Sequence, residues 1–444
     1  AACFDFFGDH PFYQATTADY DALVPANKRV AKGKGQVAVK QLNRRISESG
    51  HTPSTFAPKT GEFKNEIDLD EFVRWIIMYQ NYTGVTDKTK VENEEKFSNP
   101  AGWVYRLNPV YVQGKTLFET LMLNLVLVNQ DQENPAIQRP VWEFESVLDY
   151  VAYRKRQALP DDLAGLYTAW SRILHIEWAD KRHPIIFSAG IPMFSAEGAR
   201  LEPMTTWRFD KKESLFRPAV KSLRSLSVAM WRNFGQYVKT NQDETTRQEP
   251  GLVGWLRKLK EDGLIPDNQI LTLASVALVS DGNATSQSPA AEFADDLQLQ
   301  ANTLFDDSEM AERWPVRIED TVTMTQKVGQ DFYHFAADIG EIRNLVDTRS
   351  YASRLSAKFY ASLNVPFKQW LAQLSGRDDR DEKINEWKRQ LQELLRAAVQ
   401  EIVRTSSSRD VIGIKDAKGR PMNIFTVRSR LSYQVRQDLD LKKE

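Results

Sequence analysis

The last third of the chain constrains its fold more than any other part. Four long amphipathic segments follow one another here with mostly short links, over roughly residues 314–340, 348–374, 379–406 and 421–439. In the second segment, Tyr351, Leu355, Phe359 and Leu363 keep a heptad-like spacing. This spacing places apolar side chains on one face of a helix. Four such helices joined by short links predict an antiparallel four-helix bundle.

The third segment shows the same pattern, at Ile384, Trp387, Leu391, Leu394 and Val399.

The chain before residue 300 has a different character. Strand-like runs ("RILHIEW", "HPIIFSAG", "QILTLASVALVS") alternate with helical ones ("DLDEFVRWIIMYQNYTG", "GLVGWLRKLKEDGLI"). The apolar run "GKTLFETLMLNLVLV" is expected to form a buried helix. The predicted fold class is α+β, with a mixed α/β domain over residues 1–299 and a C-terminal four-helix bundle over residues 300–444.

Composition excludes several classes of protein. The chain has 444 residues, 59 of them Lys or Arg and 60 Asp or Glu, so nucleic-acid binding would have to come from local basic patches. Cys3 is the single cysteine, which excludes an intramolecular disulfide and a cysteine-based zinc site. The longest apolar run, Thr116 to Val128, contains Glu119 and is too short to span a bilayer. We expect a soluble, cytoplasmic protein without membrane partners.

Motifs for bond-making chemistry are missing from the sequence. It contains no HExxH, GxSxG, P-loop or GxGxxG motif, and its five histidines lack metal-ligand spacing. Asp9 and His10 could pair as a dyad, but without a nucleophile motif a capped turn is the favoured interpretation. Similarly, His334 lies in an apolar helical segment and is better read as a bundle residue than as a ligand. We therefore predict no enzyme activity, no catalytic residue, no metal and no cofactor.

A basic stretch leaves two interpretations open. Between Lys28 and Arg45 there are seven Lys or Arg and no acidic residue. A short charge run is usually a solvated loop. The alternative is an electrostatic contact with nucleic-acid phosphates.

Several stretches, in order, resemble the CasA-type (Cse) large subunit of the type I-E CRISPR Cascade complex. They are "DHPFYQ", "QGKTLFETLMLNLVL", "RPVWE", "TAWSRILHI", "LEPMTTWR", "MWRNF" and "LNVPFKQWLAQL". The resemblance covers nearly the whole chain. "PFYQ" lies well inside the N-terminal domain of this family, so the chain is expected to lack the start of that domain. Some relatives carry a cysteine zinc knuckle where this chain has "ADKRHPII", and no zinc is expected here.

The resemblance implies a recognition module of antiviral defence. It would bind double-stranded target DNA at the protospacer-adjacent motif (PAM), start duplex unwinding, contact the CRISPR guide RNA and recruit the helicase-nuclease. Further partners would be the backbone, small and handle-binding Cascade subunits. Three alternatives remain open: the large subunit of another CRISPR type or of a transposon-associated Cascade, a non-catalytic helical scaffold, and a stand-alone enzyme whose site forms only in three dimensions.

The resemblance also implies site residues. Loop "GHTPSTFAPK" would contact the guide-RNA end, through Thr55, Phe56 and Ala57. Loops "FSNPAGW" and "GIPMFSAEG" align with the PAM readers of the family, which gives Ser98, Asn99, Pro100, Ala101, Met193 and Ser195. The turn "DGNATSQS" aligns with a wedge that displaces the first base pair, which gives Gly282, Asn283 and Ala284. The bundle is assigned to protein contacts and to positioning of the opened DNA.

Overall fold

The computed structural model describes residues 4–42, 61–84, 89–98, 100–105, 107–129, 132–133, 137–156, 159–194, 202–240, 247–279, 291–416 and 418–440. Within these ranges the α-helices are, in chain order, α1 (Thr17–Leu23), α2 (Val39–Leu42), α3 (Leu69–Asn81), α4 (Leu117–Leu123), α5 (Val147–Lys155), α6 (Leu163–Tyr167), α7 (Phe234–Tyr237), α8 (Gly251–Glu261), α9 (Ala301–Leu304), α10 (Trp314–Ile342), α11 (Thr348–Gln373), α12 (Arg380–Arg404), α13 (Ser408–Ile412) and α14 (Ile424–Asp438).

The described strands form small antiparallel sheets. The strands are β1 (Gln36–Val37), β2 (Val110–Gln113), β3 (Val128–Asn129), β4 (Gln132–Glu133), β5 (Arg172–Asp180), β6 (His183–Gly190), β7 (Trp207–Asp210), β8 (Leu215–Pro218), β9 (Arg247–Gln248), β10 (Ile270–Val279), β11 (Ala291–Gln300), β12 (Ile414–Lys415) and β13 (Pro421–Met422). Three sheets have three strands, in the orders β1-β6-β5, β11-β10-β2 and β8-β7-β9, and two are pairs, β3-β4 and β12-β13.

The hairpin β5-β6 sets the position of the candidate site. Its strands pair from Asp180 and His183 beside the turn to Arg172 and Gly190 at the open end. The apolar run at the start of β5 is buried, as expected for a strand covered on both faces. Phe72 and Ile76 of α3 belong to the same buried cluster as β5. The open end of this hairpin lies beside the end of α3, because Arg172 at the start of β5 donates to Tyr79 O near the end of that helix.

The hairpin β10-β11 is the longest strand pair of the described chain. It pairs without interruption from Ile270 and Gln300 to Val279 and Ala291. In β11, Phe293 and Leu297 are buried while their neighbours are more exposed, which is the alternation of a sheet with one covered face. The prediction of a strand at "QILTLASVALVS" is confirmed.

Four long helices end the chain, at α10, α11, α12 and α14, and their bounds agree with the four predicted segments. The heptad residues of the third segment pack inward, with Trp387, Leu391 and Val399 buried. Asp347 and Asp379 cap α11 and α12 by accepting hydrogen bonds from the main chain. The predicted fold class, a mixed helix and sheet region followed by a helical C-terminal region, is confirmed.

One buried cluster extends from the β10-β11 sheet into the bundle. It contains Leu273 and Leu297 of the sheet together with Phe332 of α10 and Leu431 of α14. Lys368 of α11 also pairs with Asp295 and Asp296 of β11. The division into domains at residues 299 and 300 stays a prediction, since this core includes residues on both sides of it.

One expectation is wrong. The segment "GKTLFETLMLNLVLV" forms α4, but this helix has no buried residue. Its large apolar side chains are mostly exposed, with Leu117 at 75% and Phe118 at 71%. The pattern marks an apolar face correctly, yet no described element covers that face. Separately, no helix in the described ranges is long and apolar enough to cross a membrane.

Candidate nucleic-acid interface

Many of the residues implied by the resemblance lie outside the part of the chain that the structure describes. These are the guide-end residues Thr55, Phe56 and Ala57, the wedge residues Gly282, Asn283 and Ala284, and the PAM-reader residues Asn99 and Ser195. Four of the implied residues are described: Ser98, Pro100, Ala101 and Met193.

The loop around Ser98 is anchored on the open end of the β5-β6 hairpin. Ser98 is exposed, Ala101 is half-buried and Pro100 is buried. Pro100 lies so close to Gly190 that a Cβ added at Gly190 would come within 2.6 Å of the proline ring. Pro100 therefore positions this loop by packing, and Ser98 is its exposed described member.

The residues that follow this loop fix it to α3. The main-chain N–H of Gly102 donates to Thr83 O at 2.8 Å, and the indole N–H of Trp103 donates to Asn81 Oδ1 at 3.1 Å. A Cβ at Gly102 would lie only 2.1 Å from Asn81 O. Glycine is required at residue 102 because the two segments of main chain approach so closely.

The second implied loop meets the first through aromatic side chains. Phe194 and Trp103 have ring centroids 6.4 Å apart and belong to one buried cluster, against which half-buried Met193 packs. The structure thus brings residues 100–103 and 191–194 together, although about 90 residues of chain separate them.

A buried arginine joins the elements of this site. Arg172, the first residue of β5, is 0% exposed. Its guanidinium donates to Tyr79 O at 2.8 Å, at the end of α3, and to Pro100 O at 3.3 Å. The group also lies over the ring of Tyr79, 4.2 Å from its centroid. Arg172 holds α3, the Ser98 loop and β5 in a fixed arrangement.

A second buried arginine anchors the other loop. Arg154 of α5 is also 0% exposed, and its guanidinium donates to Pro192 O at 3.1 Å and to Met193 Sδ at 3.4 Å. It also lies 4.7 Å from the ring centroid of Phe194. Among the described residues no carboxylate pairs with Arg154, so main-chain and side-chain dipoles balance its charge.

Glu202 occupies the far side of the same loop, directly after residues 195–201. Its carboxylate is buried and accepts from Tyr167 Oη at 3.1 Å and from Met204 N at 2.8 Å. Burial raises the pKa of Glu202 above the ordinary glutamate value, although these hydrogen bonds act in the opposite direction. Buried charged groups therefore fix the chain on both sides of residues 195–201.

Sequence analysis missed these three residues. Arg154, Arg172 and Glu202 stand in stretches that look like ordinary mixed sequence, and a charged residue is rarely fully buried. The signal available in the sequence was the arginine in "TAWSRILHI", a charge directly before an apolar strand.

The basic stretch lies beside this site. β1 pairs with β6, with Val37 opposite Ile186, and Gly35 approaches the side chain of Thr89. Thr89 O in turn accepts from Gly190 N at 2.9 Å. Arg29, Lys32 and Lys34, just before β1, are exposed. Positive charge thus lies beside the Ser98 loop, although Glu92, Glu94 and Glu95, just before this loop, are exposed and acidic. The solvated-loop and phosphate interpretations of the basic stretch both stay predictions.

Within the described part of the chain, no three His, Cys, Asp or Glu side chains are grouped as metal ligands. His10 is exposed, and His183 pairs with Asp180 at 2.8 Å in the β5-β6 turn.

Comparisons with known proteins agree with this architecture. The structure of Thermobifida fusca Cse1 is similar over 100% of this chain and 81% of that one, at 18% identity and a TM-score of 0.77. Cse1 from Acidimicrobium ferrooxidans matches over 98% and 80%, at 18% identity and a TM-score of 0.71.

A chain of a structure described as a CRISPR RNA-guided surveillance complex matches over 97% of this chain and 79% of that one, at 16% identity and a TM-score of 0.60. At these identities the likeness shows the fold alone. No curated protein sequence matches this chain. The family model of the CRISPR-associated protein Cse1 matches residues 1–398. Because this match covers most of the 444 residues, the chain belongs to the CRISPR-associated protein Cse1 family.

Proposed function

We propose that this chain is the large, non-catalytic subunit of a Cascade-type CRISPR RNA-guided surveillance complex, and that it reads the PAM in double-stranded target DNA. The observation that carries the proposal is that residues 100–103 and 191–194 meet beside buried Arg172 and Arg154. These anchoring contacts form without DNA, so binding does not have to order the residues that make them.

The chemistry of these loops suits the minor groove of DNA. That groove presents a degenerate pattern of acceptors, which a protein reads with few polar groups and close main-chain approach. Ser98 is small, polar and exposed, and Asn99 follows it in the sequence. The exposed basic residues before β1 would contact phosphates on the flank of the site, which positions the duplex without reading its sequence.

The wedge and the guide-end contact extend this proposal. Gly282, Asn283 and Ala284 belong to the connection between β10 and β11, whose strands stay paired up to Val279 and Ala291. Strands that stay paired up to the connection support the idea of a turn that opens the first base pair. A rigid pair of strands can hold the inserted side chain in place while the stacked nucleobases separate. Phe56, with Thr55 and Ala57, remains the proposed contact for the end of the guide RNA, where an aromatic side chain can stack on a base.

The bundle would serve protein contacts, including recruitment of the helicase-nuclease. Its surface carries both signs of charge in ion pairs between helices, such as Lys358 with Glu401 at 2.5 Å and Arg430 with Asp338 at 3.0 Å. A mixed-charge surface suits docking to another protein better than continuous tracking of phosphates.

The test is reconstitution. The full chain is combined with a guide RNA and the backbone subunits, and binding to a library of PAM duplexes is measured. We expect the assembled complex to select a restricted set of PAMs and Asn99→Ala to change that set. Asn93→Ala, which replaces the same residue type a few residues earlier in the chain, should leave the selection unchanged. Failure to assemble with the guide-bearing subunits, or identical PAM profiles for wild type and Asn99→Ala, would contradict the proposal.

A further inference from the structure

An aromatic cavity lies between the segment 9–19 and the segment 141–150. Its volume is about 300 Å³. Six aromatic side chains contribute to its walls: Phe12, Tyr13, Trp142, Phe144, Tyr150 and Trp170. This volume is at the lower end of the range for small-ligand sites. A cavity of this volume can hold one side chain and the peptide groups beside it, but it is too small for the folded surface of a partner protein.

Acidic side chains outnumber basic ones in the lining of the cavity. Asp9, Asp19 and Glu145 contribute to it together with His10, and no Lys or Arg does. In the described part of the chain, no cationic side chain pairs with any of these three carboxylates. Thr16 Oγ1 donates to Asp19 at 2.9 Å, which leaves the negative charge in place. A phosphate or another anion would be repelled here, whereas a cation would be attracted.

Trp170 forms part of the cavity wall. This residue is 5% exposed, and its indole nitrogen, which has no acceptor among the described residues, is closed off from solvent. Trp170 therefore contributes aromatic surface to the cavity and no hydrogen-bond donor.

The backbone at the cavity wall is held in an uncommon conformation. Tyr13 has φ of 55°, in the left-handed region that residues other than glycine rarely occupy. Its hydroxyl donates to Thr168 O at 3.3 Å, and its ring lies 6.0 Å from that of Trp170. Such backbone strain is found at ligand-binding sites, where the surrounding structure fixes it.

The aromatic walls and the carboxylates of the cavity define the class of ligand that fits it. Aromatic faces and carboxylates together recognise guanidinium or ammonium groups. The chain already shows one example, because the guanidinium of Arg139 lies 4.2 Å from the ring centroid of Phe144, a residue of the cavity wall.

We propose that this cavity binds an arginine or lysine side chain of an extended, basic peptide segment from a partner protein. The cationic group meets Asp9, Asp19 and Glu145, and its stem packs on the aromatic walls. This inference does not depend on the proposed DNA recognition, and its test uses no nucleic-acid complex.

The test follows binding by ¹⁹F NMR. The full chain is labelled with 5-fluorotryptophan, and Trp142→Phe identifies one resonance of the cavity among the 11 tryptophans. The probe is the capped tripeptide Gly-Arg-Gly, and its matched control contains citrulline, which has the shape of arginine without the charge. We expect a saturable shift of the Trp142 resonance with the arginine peptide and about tenfold weaker binding of the citrulline peptide.

Variants assign the binding to the proposed groups. Glu145→Gln should weaken binding of the arginine peptide severalfold, whereas Glu143→Gln, the same change on an exposed residue outside the cavity, should not.

Three outcomes would overturn the proposal: no saturable shift at millimolar arginine peptide, equal affinity for the arginine and citrulline peptides, or tighter binding of adenosine monophosphate than of the arginine peptide. The last outcome would identify a nucleobase pocket instead.

Discussion

The guanidinium of Arg172 donates a hydrogen bond of 3.3 Å to the main-chain O of Pro100, 72 residues earlier in the chain. The same group donates to Tyr79 O at 2.8 Å. A fully buried side chain thus connects the start of a strand, the end of a helix and the loop that carries Ser98. The shape of that loop depends on this contact.

Arg172→Met should destabilise the protein and disturb the Ser98 loop. Methionine fills much of the volume but leaves buried carbonyls without a donor, so we expect a loss of about 2–4 kcal/mol in the free energy of unfolding. Arg182→Met is the matched control, since Arg182 makes exposed ion pairs in the same hairpin. It should cost about 0–1 kcal/mol. Urea unfolding measures the free energy of unfolding of both variants. Equal losses would show that the buried hydrogen bonds of Arg172 contribute no more to stability than the exposed ion pairs of Arg182.

Gly102→Ala should also destabilise the site. The added methyl group would lie 2.1 Å from Asn81 O, so the loop must move away from α3. We expect a loss of about 1–3 kcal/mol and altered PAM selection in the reconstituted complex. Gly254→Ala in α8 is the control, because no atom lies within 4 Å of the new methyl group. It should be neutral or stabilising by up to about 1 kcal/mol. A stable Gly102→Ala protein with an unchanged PAM profile would contradict this account.

Asp331 should make stability depend on pH. Burial, and then the neighbouring carboxylate Asp438, raises the pKa of Asp331 from 3.8 to about 6. The folded state therefore binds the proton more tightly than the unfolded state. The stabilisation is complete below pH 3.8 and is lost as the pH rises to about 6.

Asp331→Asn should remove this dependence, and above pH 6 it should be more stable than wild type by about 1 kcal/mol, allowing for solvent screening of a half-buried group. Thermal unfolding at several pH values measures the effect. Asp320→Asn, on the exposed face of the same helix, is the control. Parallel pH curves for wild type and Asp331→Asn would refute the assignment.

The exposed face of α4 should tolerate polar substitution in the isolated protein. Phe118→Ser and Leu121→Ser change side chains that are 71% and 57% exposed, so we expect stability to change by less than about 0.5 kcal/mol. Leu256→Ala in the buried face of α8 should instead cost about 2–5 kcal/mol. Calorimetry separates the two results. Unfolding of the Phe118→Ser protein would mean that α4 is covered.

Replacing Gly282, Asn283 and Ala284 by another turn of equal length should slow strand opening. Folding and affinity for a PAM duplex should change little, because the β10-β11 stem remains. Opening is followed with a fluorescent base beside the PAM in the reconstituted complex. A target already melted beside the PAM serves as the control and should restore normal binding. Opening of the intact duplex at the wild-type rate would show that this turn is not a wedge.

The sequence alone determined the four long C-terminal helices and three of the strands, β5, β6 and β10. Local spacing is enough for this, because each long helix repeats its apolar residues over many turns. Trp387 and Leu391 are buried as their positions predicted. The family was also predicted from short motifs in order, and the match over residues 1–398 confirms it.

Only the tertiary structure decided which apolar face is covered and which charges are buried. Periodicity identifies the apolar face of α4, but coverage depends on elements elsewhere in the chain. In the same way, Arg154 and Arg172 look like surface residues until the fold supplies their acceptors. Those acceptors are main-chain carbonyls up to 93 residues away in sequence, and every residue carries one, so no residue type marks them.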